Sequence, residues 1–338
     1  MKTLLKVMSV LNLVTGLSSC SPTATGFTLP TEKVEFTGGV VLNKKVDILF
    51  VVDNTPSMIQ HQQNIASQLP GMIGALNALK MDYRFAVTTT SMTSGTVNPC
   101  APVSRKLQGN PAYLTEKNIN SLPERFVVGT AGCSLERGLD AMAYVTSPDY
   151  LKSINSDFMR SDALFVVIFI SDEQDASSEF GDGSKDDFIK TLNARKPAFD
   201  DGSRAWIANY IGTLSMNNTC DTGGGSSSVG SYYVKLADAS QGVKSALCKL
   251  DMAVAVSNIK SRIVDHLQSY RFKEEPNKSS ITVTMGGKAI HESDVDGWTL
   301  EKEIRADGRD QFILKFHGSA IPAVDMPVNV VYKPLNAT

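Results

Sequence analysis

Residues 46–58 read VDILFVVDNTPSM, and this stretch decides the fold. Val46, Ile48, Leu49, Phe50, Val51 and Val52 form a short, almost continuous apolar run rich in β-branched side chains, the pattern of a strand covered on both faces in a parallel sheet. At its carboxyl end the character flips. Asp53, Thr55 and Ser57 follow at alternate positions around Pro56, and helical spacing begins near Met58. Ligands of open α/β sheets bind beyond the carboxyl ends of the strands. A carboxylate and two hydroxyls there are hard oxygen donors, suited to Mg²⁺, Ca²⁺ or Mn²⁺ and poorly suited to Zn²⁺ or copper. Taken alone, the same residues also suit a plain helix cap.

The second strong signal is ALFVVIFISDEQD at 163–175, where Leu164 to Ile170 is wholly apolar and Ser171, Asp172, Glu173 and Asp175 follow. It reads as a central buried strand. Two such strands, each ending in an aspartate, are what a metal site demands, whereas capping gives no reason for the pair. Glu173 and Asp175 read as a solvated acidic rim.

Between and beyond these strands the pattern alternates. Residues 58–80 are helical with a kink expected at Pro70-Gly71, and 83–91 form a strand with Phe85 and Val87 on one face. The stretch 93–131 is long for a connection without structure of its own. Cys100 and Cys133 flank it and are expected to bridge, which for a loop of this size is worth roughly 3–4 kcal/mol. From Cys133 to Val145 the spacing is helical, with Leu135, Leu139, Met142 and Val145 inward. A helix over 185–195 and a strand over 204–214 come next, then a flexible Gly/Ser loop opened by Cys220 and closed by Cys248, and a helix over 250–269. After Pro276 the period changes to 2, and residues 277–334 read as a small β-rich domain with a hairpin turn at Gly286-Gly287.

The run Asp53-Asn54-Thr55-Pro56-Ser57 resembles the D-x-[ST]-x-S signature of the metal-ion-dependent adhesion site of von Willebrand factor A-type domains. The resemblance implies a doubly wound, mostly parallel sheet flanked by helices, here over 44–272. It implies a third-loop metal ligand at Asp172 and a middle loop of the form G-T-N-x-x-x-x-L. Aligning Gly132 and Leu139 with that form puts Cys133 where a ligand threonine is expected, a departure from the pattern. Thr130, Ser134 or Glu136 is the candidate to stand in for it, with Glu136 and Ser134 favoured, and water filling the place is the alternative. In the resembled family an acidic residue of a protein partner completes the shell of the ion. The expectation is therefore a non-enzymatic protein binder that uses Mg²⁺, or Ca²⁺ or Mn²⁺, held by Asp53, Thr55, Ser57 and Asp172.

Whole-chain features bound this reading. The chain has 338 residues and a formal charge of −2, which leaves no basic footprint for nucleic acid. Its 4 His include no H-x-x-x-H pair. Ser57 and Asp172 lack a base for hydrolysis, because His61 reads as a lone surface or satisfied histidine. Residues 1–19 have the lysines and short apolar stretch of a secretory signal, and LSSC ending at Cys20 resembles a bacterial lipobox. This implies an outer-membrane lipoprotein held to the membrane by its lipid alone. Residues 20–43 are Ser-, Thr-, Pro- and Gly-rich and read as a tether. Setting Cys20 aside leaves Cys100, Cys133, Cys220 and Cys248, an even set suited to an oxidising compartment. An adhesin and an envelope scaffold or assembly factor are both compatible with these features.

Overall fold

The structure is a computed structural model that describes residues 33–34, 44–92, 106–178, 185–216, 227–247, 252–322 and 326–335. The signal segment, Cys20, Cys100, Cys220 and Cys248 lie outside the described residues. Five parallel strands form the main sheet: β2 (Lys45–Val52), β3 (Asp82–Thr89), β4 (Leu164–Ser171), β5 (Trp206–Gly212) and β6 (Lys244–Ala246). Their spatial order is β3-β2-β4-β5-β6. The order reverses between β2 and β4, so the crevice at their carboxyl ends is the topological switch point of the sheet. Val52 is in register with Ile170, and the Asp53 N–H donates to the Ile170 carbonyl at 2.9 Å, one residue past the ladder. The chain therefore delivers residues 53 and 172 to neighbouring places.

Every residue of β4 is buried, as its unbroken apolar sequence requires. Along β2 the side chains alternate between two cores. Val46, Ile48, Phe50 and Val52 pack with α1 (Ile59–Ala66), α2 (Leu69–Ala78), α3 (Leu122–Phe126) and α8 (Met252–Gln268). Leu49 and Val51 pack with α4 (Gly138–Val145), α6 (Lys185–Arg195) and α7 (Ser231–Ala239). Asp47, polar within an otherwise apolar run, is fully buried and ion-paired by the Arg160 guanidinium, whose Nε donates to its Oδ1 at 3.0 Å. Trp206 and Trp298 are core residues.

Several expectations are corrected. The kink at Pro70-Gly71 is a break: α1 ends at Ala66, and Pro70 sits in the first turn of α2, where its missing N–H costs nothing. Helix α4 starts at Gly138 rather than at Cys133, and Leu135 is 48% exposed in the loop before it. Arg137, at φ −129° and ψ 53°, is non-helical and turns the chain so that Glu136 faces inward instead. The stretch between Cys220 and Cys248 is more than a flexible loop, since it carries α7 and the edge strand β6.

The C-terminal part forms two antiparallel sheets around its own small core. One holds β7 (Tyr270–Arg271), β10 (Trp298–Ile304) and β11 (Asp310–Phe316). The other holds β8 (Thr282–Met285), β9 (Lys288–Ile290), β12 (Val328–Val331) and β1 (Lys33–Val34). Gly286 and Gly287, at φ 54° and 81°, make the tight turn between β8 and β9. Lys33 and Val34, within the stretch read as a tether, pair with Val331 and Val330. Glu303 of β10 joins this part to α8 through Arg262 at 3.0 Å and His266 at 3.0 Å. Among the described residues no helix is long and apolar enough to cross a membrane.

Candidate metal centre

The site is built from the turn that follows β2. Asp53 is fully buried, and its Oδ1 accepts from the Thr55 N–H at 2.8 Å and the Thr55 hydroxyl at 2.7 Å. This local loop holds Thr55 extended and leaves Pro56 free to open the short 3₁₀ turn Pro56–Met58. Thr55 Oγ1 and Ser57 Oγ come within 3.2 Å, so the side chains of 53, 55 and 57 form a chain of adjacent oxygens through Thr55. The other oxygen, Asp53 Oδ2, accepts from the Ser171 hydroxyl at 2.8 Å.

Asp172 enters from the end of β4. It is fully buried, and neither of its carboxyl oxygens has a hydrogen-bond partner. Burial raises its pKa; the Ser57 hydroxyl is near enough to ease that shift without reaching hydrogen-bond geometry, and His61 eases it further. Burial also pushes Asp53 up to about 6, against the Thr55 and Ser171 donors, and the charge of Asp172 adds to the rise. His61 is buried with Nδ1 unpartnered, so it is neither a surface nor a satisfied histidine; burial lowers its pKa and Asp172 opposes this.

The middle loop is laced down by main-chain and amide contacts. The Gly132 N–H donates to the Asn54 carbonyl at 2.8 Å. Ser91 Oγ donates to Asn54 Oδ1 at 2.8 Å and accepts from the Cys133 N–H at 3.0 Å. Gln62, a buried residue of α1, donates Nε2 to the carbonyls of Asp53 at 2.8 Å and Gly129 at 3.0 Å. Cys133 is disulfide-bonded, so its sulfur is withdrawn from ligation. Of the three stand-ins, Thr130 is half-buried and Ser134 exposed, while Glu136 is buried with both carboxyl oxygens unpartnered. Burial raises the Glu136 pKa well above the carboxylate range, and Asp53, Glu173 and Asp172 add to it.

The acidic rim separates into two roles. Glu173 is half-buried and pushed up to about 7 by burial and by the charges of Asp53 and Asp172. Asp175 is not solvated: it is buried and accepts from the Leu139 N–H at 3.1 Å, Ser177 Oγ at 3.0 Å and Tyr233 OH at 3.0 Å, tying the 171–178 loop to α4 and α7. Gln62 escaped the sequence reading, and Ser171 was named there without a role. A polar residue on the inward face of an apolar helix, and a serine closing an apolar strand, were the signals that could have found them.

These residues fit a hard divalent cation. Four carboxyl oxygens, two on Asp172 and two on Glu136, are buried without partners, which is costly for ionised groups unless a cation neutralises them. Among the described residues no three His, Cys, Asp or Glu side chains close on one point tightly enough to hold a metal by themselves. An ion at Asp53 and Asp172 would need further oxygen donors, and the hydroxyls of Thr55 and Ser57 are the nearest of the right chemistry.

The chain is thus a doubly wound α/β protein with a carboxylate and hydroxyl cluster at the switch point of its sheet. No family model matches the sequence, and no curated protein matches it. Among solved structures it is similar to proximal thread matrix protein 1 from the mussel byssus, at 12% identity and a TM-score of 0.43, over 68% of this chain and 50% of that one. It is similar to a von Willebrand factor type A protein from Catenulispora acidiphila at 12% identity and a TM-score of 0.39, over 91% and 67% of the two chains. The pilus adhesin SpaC from Lactobacillus rhamnosus GG, in its open conformation, matches at 12% identity and a TM-score of 0.41, over 85% of this chain and 38% of the adhesin. At 12% identity and TM-scores below 0.5, none of the three bears on what this chain does.

Proposed function

We propose that this protein is a divalent-cation-dependent protein binder, not an enzyme, acting in adhesion or envelope interaction. The observation that carries the reading is the buried Asp172 carboxylate, unpartnered at both oxygens, beside Asp53 at the switch point. Asp53, Asp172, Ser57 and Thr55 would hold the ion, Mg²⁺ by default with Ca²⁺ and Mn²⁺ as alternatives. A cation bound there supplies positive charge and a coordination place for an acidic side chain of a protein partner.

Apolar side chains support a protein as that partner. Ile59 follows the donor turn, Leu135 precedes Glu136, and Met216 lies beyond the carboxyl end of β5; all three are exposed. Large apolar groups around a polar centre are a feature of protein interfaces. The proposal includes a lipid anchor at Cys20 in the outer membrane.

The test is titration calorimetry with Mg²⁺, Ca²⁺ and Mn²⁺ on the intact protein and on Asp53→Ala. Ion binding by the first and none by the second is expected; equal affinities in both remove the assignment. Pull-downs with and without chelator then identify cation-dependent partners, and protease shaving of intact cells separates an outward-facing adhesin from a periplasmic scaffold.

A further inference from the structure

We propose that the amino end of β3 is a second recognition site, which takes an extended acidic segment of a protein partner as an added strand. The site is independent of the cation centre. Tyr83, its central residue, lies about 20 Å from Thr89 at the carboxyl end of the same strand, at about 3.3 Å per residue.

Strand β3 is an edge of the main sheet, and its main-chain groups divide by position. Asp82 and Thr90 donate their N–H groups to the Lys44 and Val52 carbonyls, so even positions face β2 and odd positions face outward. Part of that outward edge is covered. Phe85 and Leu114 exchange N–H to carbonyl bonds at 2.9 Å and 2.7 Å, and the Gln108 N–H donates to the Val87 carbonyl at 2.7 Å. An antiparallel continuation of the Phe85–Leu114 pair would set Glu116 against Tyr83, but Asn118 prevents it. Its Oδ1 accepts from the Thr115 N–H at 2.8 Å and its own N–H donates to the Thr115 carbonyl at 3.0 Å, which turns the chain off the edge. Among the described residues the N–H and carbonyl of Tyr83 are left without a main-chain partner, although the residue is 2% exposed. Main-chain groups withdrawn from water are normally paired, and such a pair on an edge strand is a template for another strand.

The gap is a cleft of about 490 Å³, walled by the turn after α2 on one side and by Thr115, Glu116 and Lys117 on the other. Its charges select the strand that fits. Lys80 and Lys117 flank the opening, and among the described residues no carboxylate pairs with either. Of the two carboxylates in the lining, Asp82 is already held by Arg160 at 2.7 Å, which leaves Glu116 alone against two lysines. An acidic segment complements that excess. The wall itself is firm, because the Tyr83 hydroxyl donates to Asn77 Oδ1 at 2.7 Å. A residue of the incoming strand would give its N–H to the Tyr83 carbonyl and accept from the Tyr83 N–H, repeating the bridge that Leu114 makes with Phe85. Strand addition of this kind takes affinity from the main chain and selectivity from the flanking side chains.

The experiment titrates a capped peptide of alternating valine and glutamate into the ¹⁵N-labelled full chain and follows the Tyr83 amide resonance. Chelator is present throughout, so that no cation can hold the peptide at the switch-point crevice. Saturable binding that moves the Tyr83 amide is expected, and a twin peptide N-methylated at every residue should bind about tenfold more weakly for want of the bridge. The variant Lys80→Gly with Lys117→Gln should weaken the acidic peptide by about fivefold, the scale of two exposed ion pairs. Its fold should hold, since Lys80 has φ 51° and glycine takes that conformation without strain. No saturation at millimolar peptide, or binding that leaves the Tyr83 amide unmoved, overturns the proposal. Equal affinity for the N-methylated twin, or for a counterpart with lysine in place of glutamate, overturns it as well.

Discussion

The Ser171 hydroxyl donates to Asp53 Oδ2 at 2.8 Å, joining the last residue of β4 to the first residue beyond β2. Ser171 Oγ also accepts from the Glu173 N–H at 3.0 Å and so shapes the turn that presents Asp172. One serine thus holds both candidate metal carboxylates in place. Ser171→Ala removes a buried hydrogen bond to a charged group, worth about 1.5–3 kcal/mol. Urea denaturation should report a loss of that order together with weaker cation binding, and an unchanged midpoint would count against a positioning role.

Gly132 is packed too closely for any side chain. A Cβ there would meet Asn54 Oδ1 at 2.5 Å and the Asn54 main-chain oxygen at 2.6 Å. Asn54 lies between Asp53 and Thr55, so the clash falls on the donor turn itself. Gly132→Ala should weaken the cation affinity by about tenfold or more while costing roughly 1–3 kcal/mol of stability, the usual range for overpacking. Calorimetry and thermal melting on the same sample separate the two effects.

Glu303 gives the molecule an acid-sensitive joint. Burial works to raise its pKa, but the His266 hydrogen bond and the charges of His266, Arg271 and Arg262 outweigh it and hold the carboxyl well below its ordinary value of 4.5. With the folded pKa depressed, the stabilisation is present above about pH 4.5, the unfolded value, and is lost as the pH falls toward the folded value. Glu303→Gln leaves buried arginines with a missing partner, a change that costs about 3–5 kcal/mol for buried pairs. Denaturation at pH 7 should show that deficit, and the gap between variant and wild type should narrow progressively below pH 4.5.

Disulfide mapping tests the covalent frame. Cys133 is bridged. Peptide mass analysis of the unreduced protein is expected to recover Cys100 with Cys133 and Cys220 with Cys248. Reduction should loosen the loop that Cys133 anchors through Ser91 and Asn54 and lower the affinity of the site. Recovery of Cys133 linked to Cys220 or Cys248 would refute the loop closure expected here.

Much of the architecture is legible in the chain because burial on both faces of a parallel strand leaves a local mark. Leu164 to Ile170 and Val46 to Val52 announce themselves as central strands without reference to anything else, and the alternate donors at 53, 55 and 57 meet through their own turn. Helix α7 and strand β6 were hidden by the Gly/Ser run before them, although Tyr233, Leu236 and Ala237 carry helical spacing. Leu135 was read as inward and is exposed, since periodicity assumes a helix that Arg137 does not join.

The sequence by itself determined that two buried strands end in aspartates and that hard oxygen donors cluster after the first, because hydrophobic pattern and residue chemistry are local properties. Only the tertiary structure decided that β2 and β4 lie side by side at the reversal of strand order, that Ser171 links them, and that Glu136 turns inward with no partner. Those facts depend on contacts between segments tens of residues apart, and a linear pattern carries no record of which segments meet.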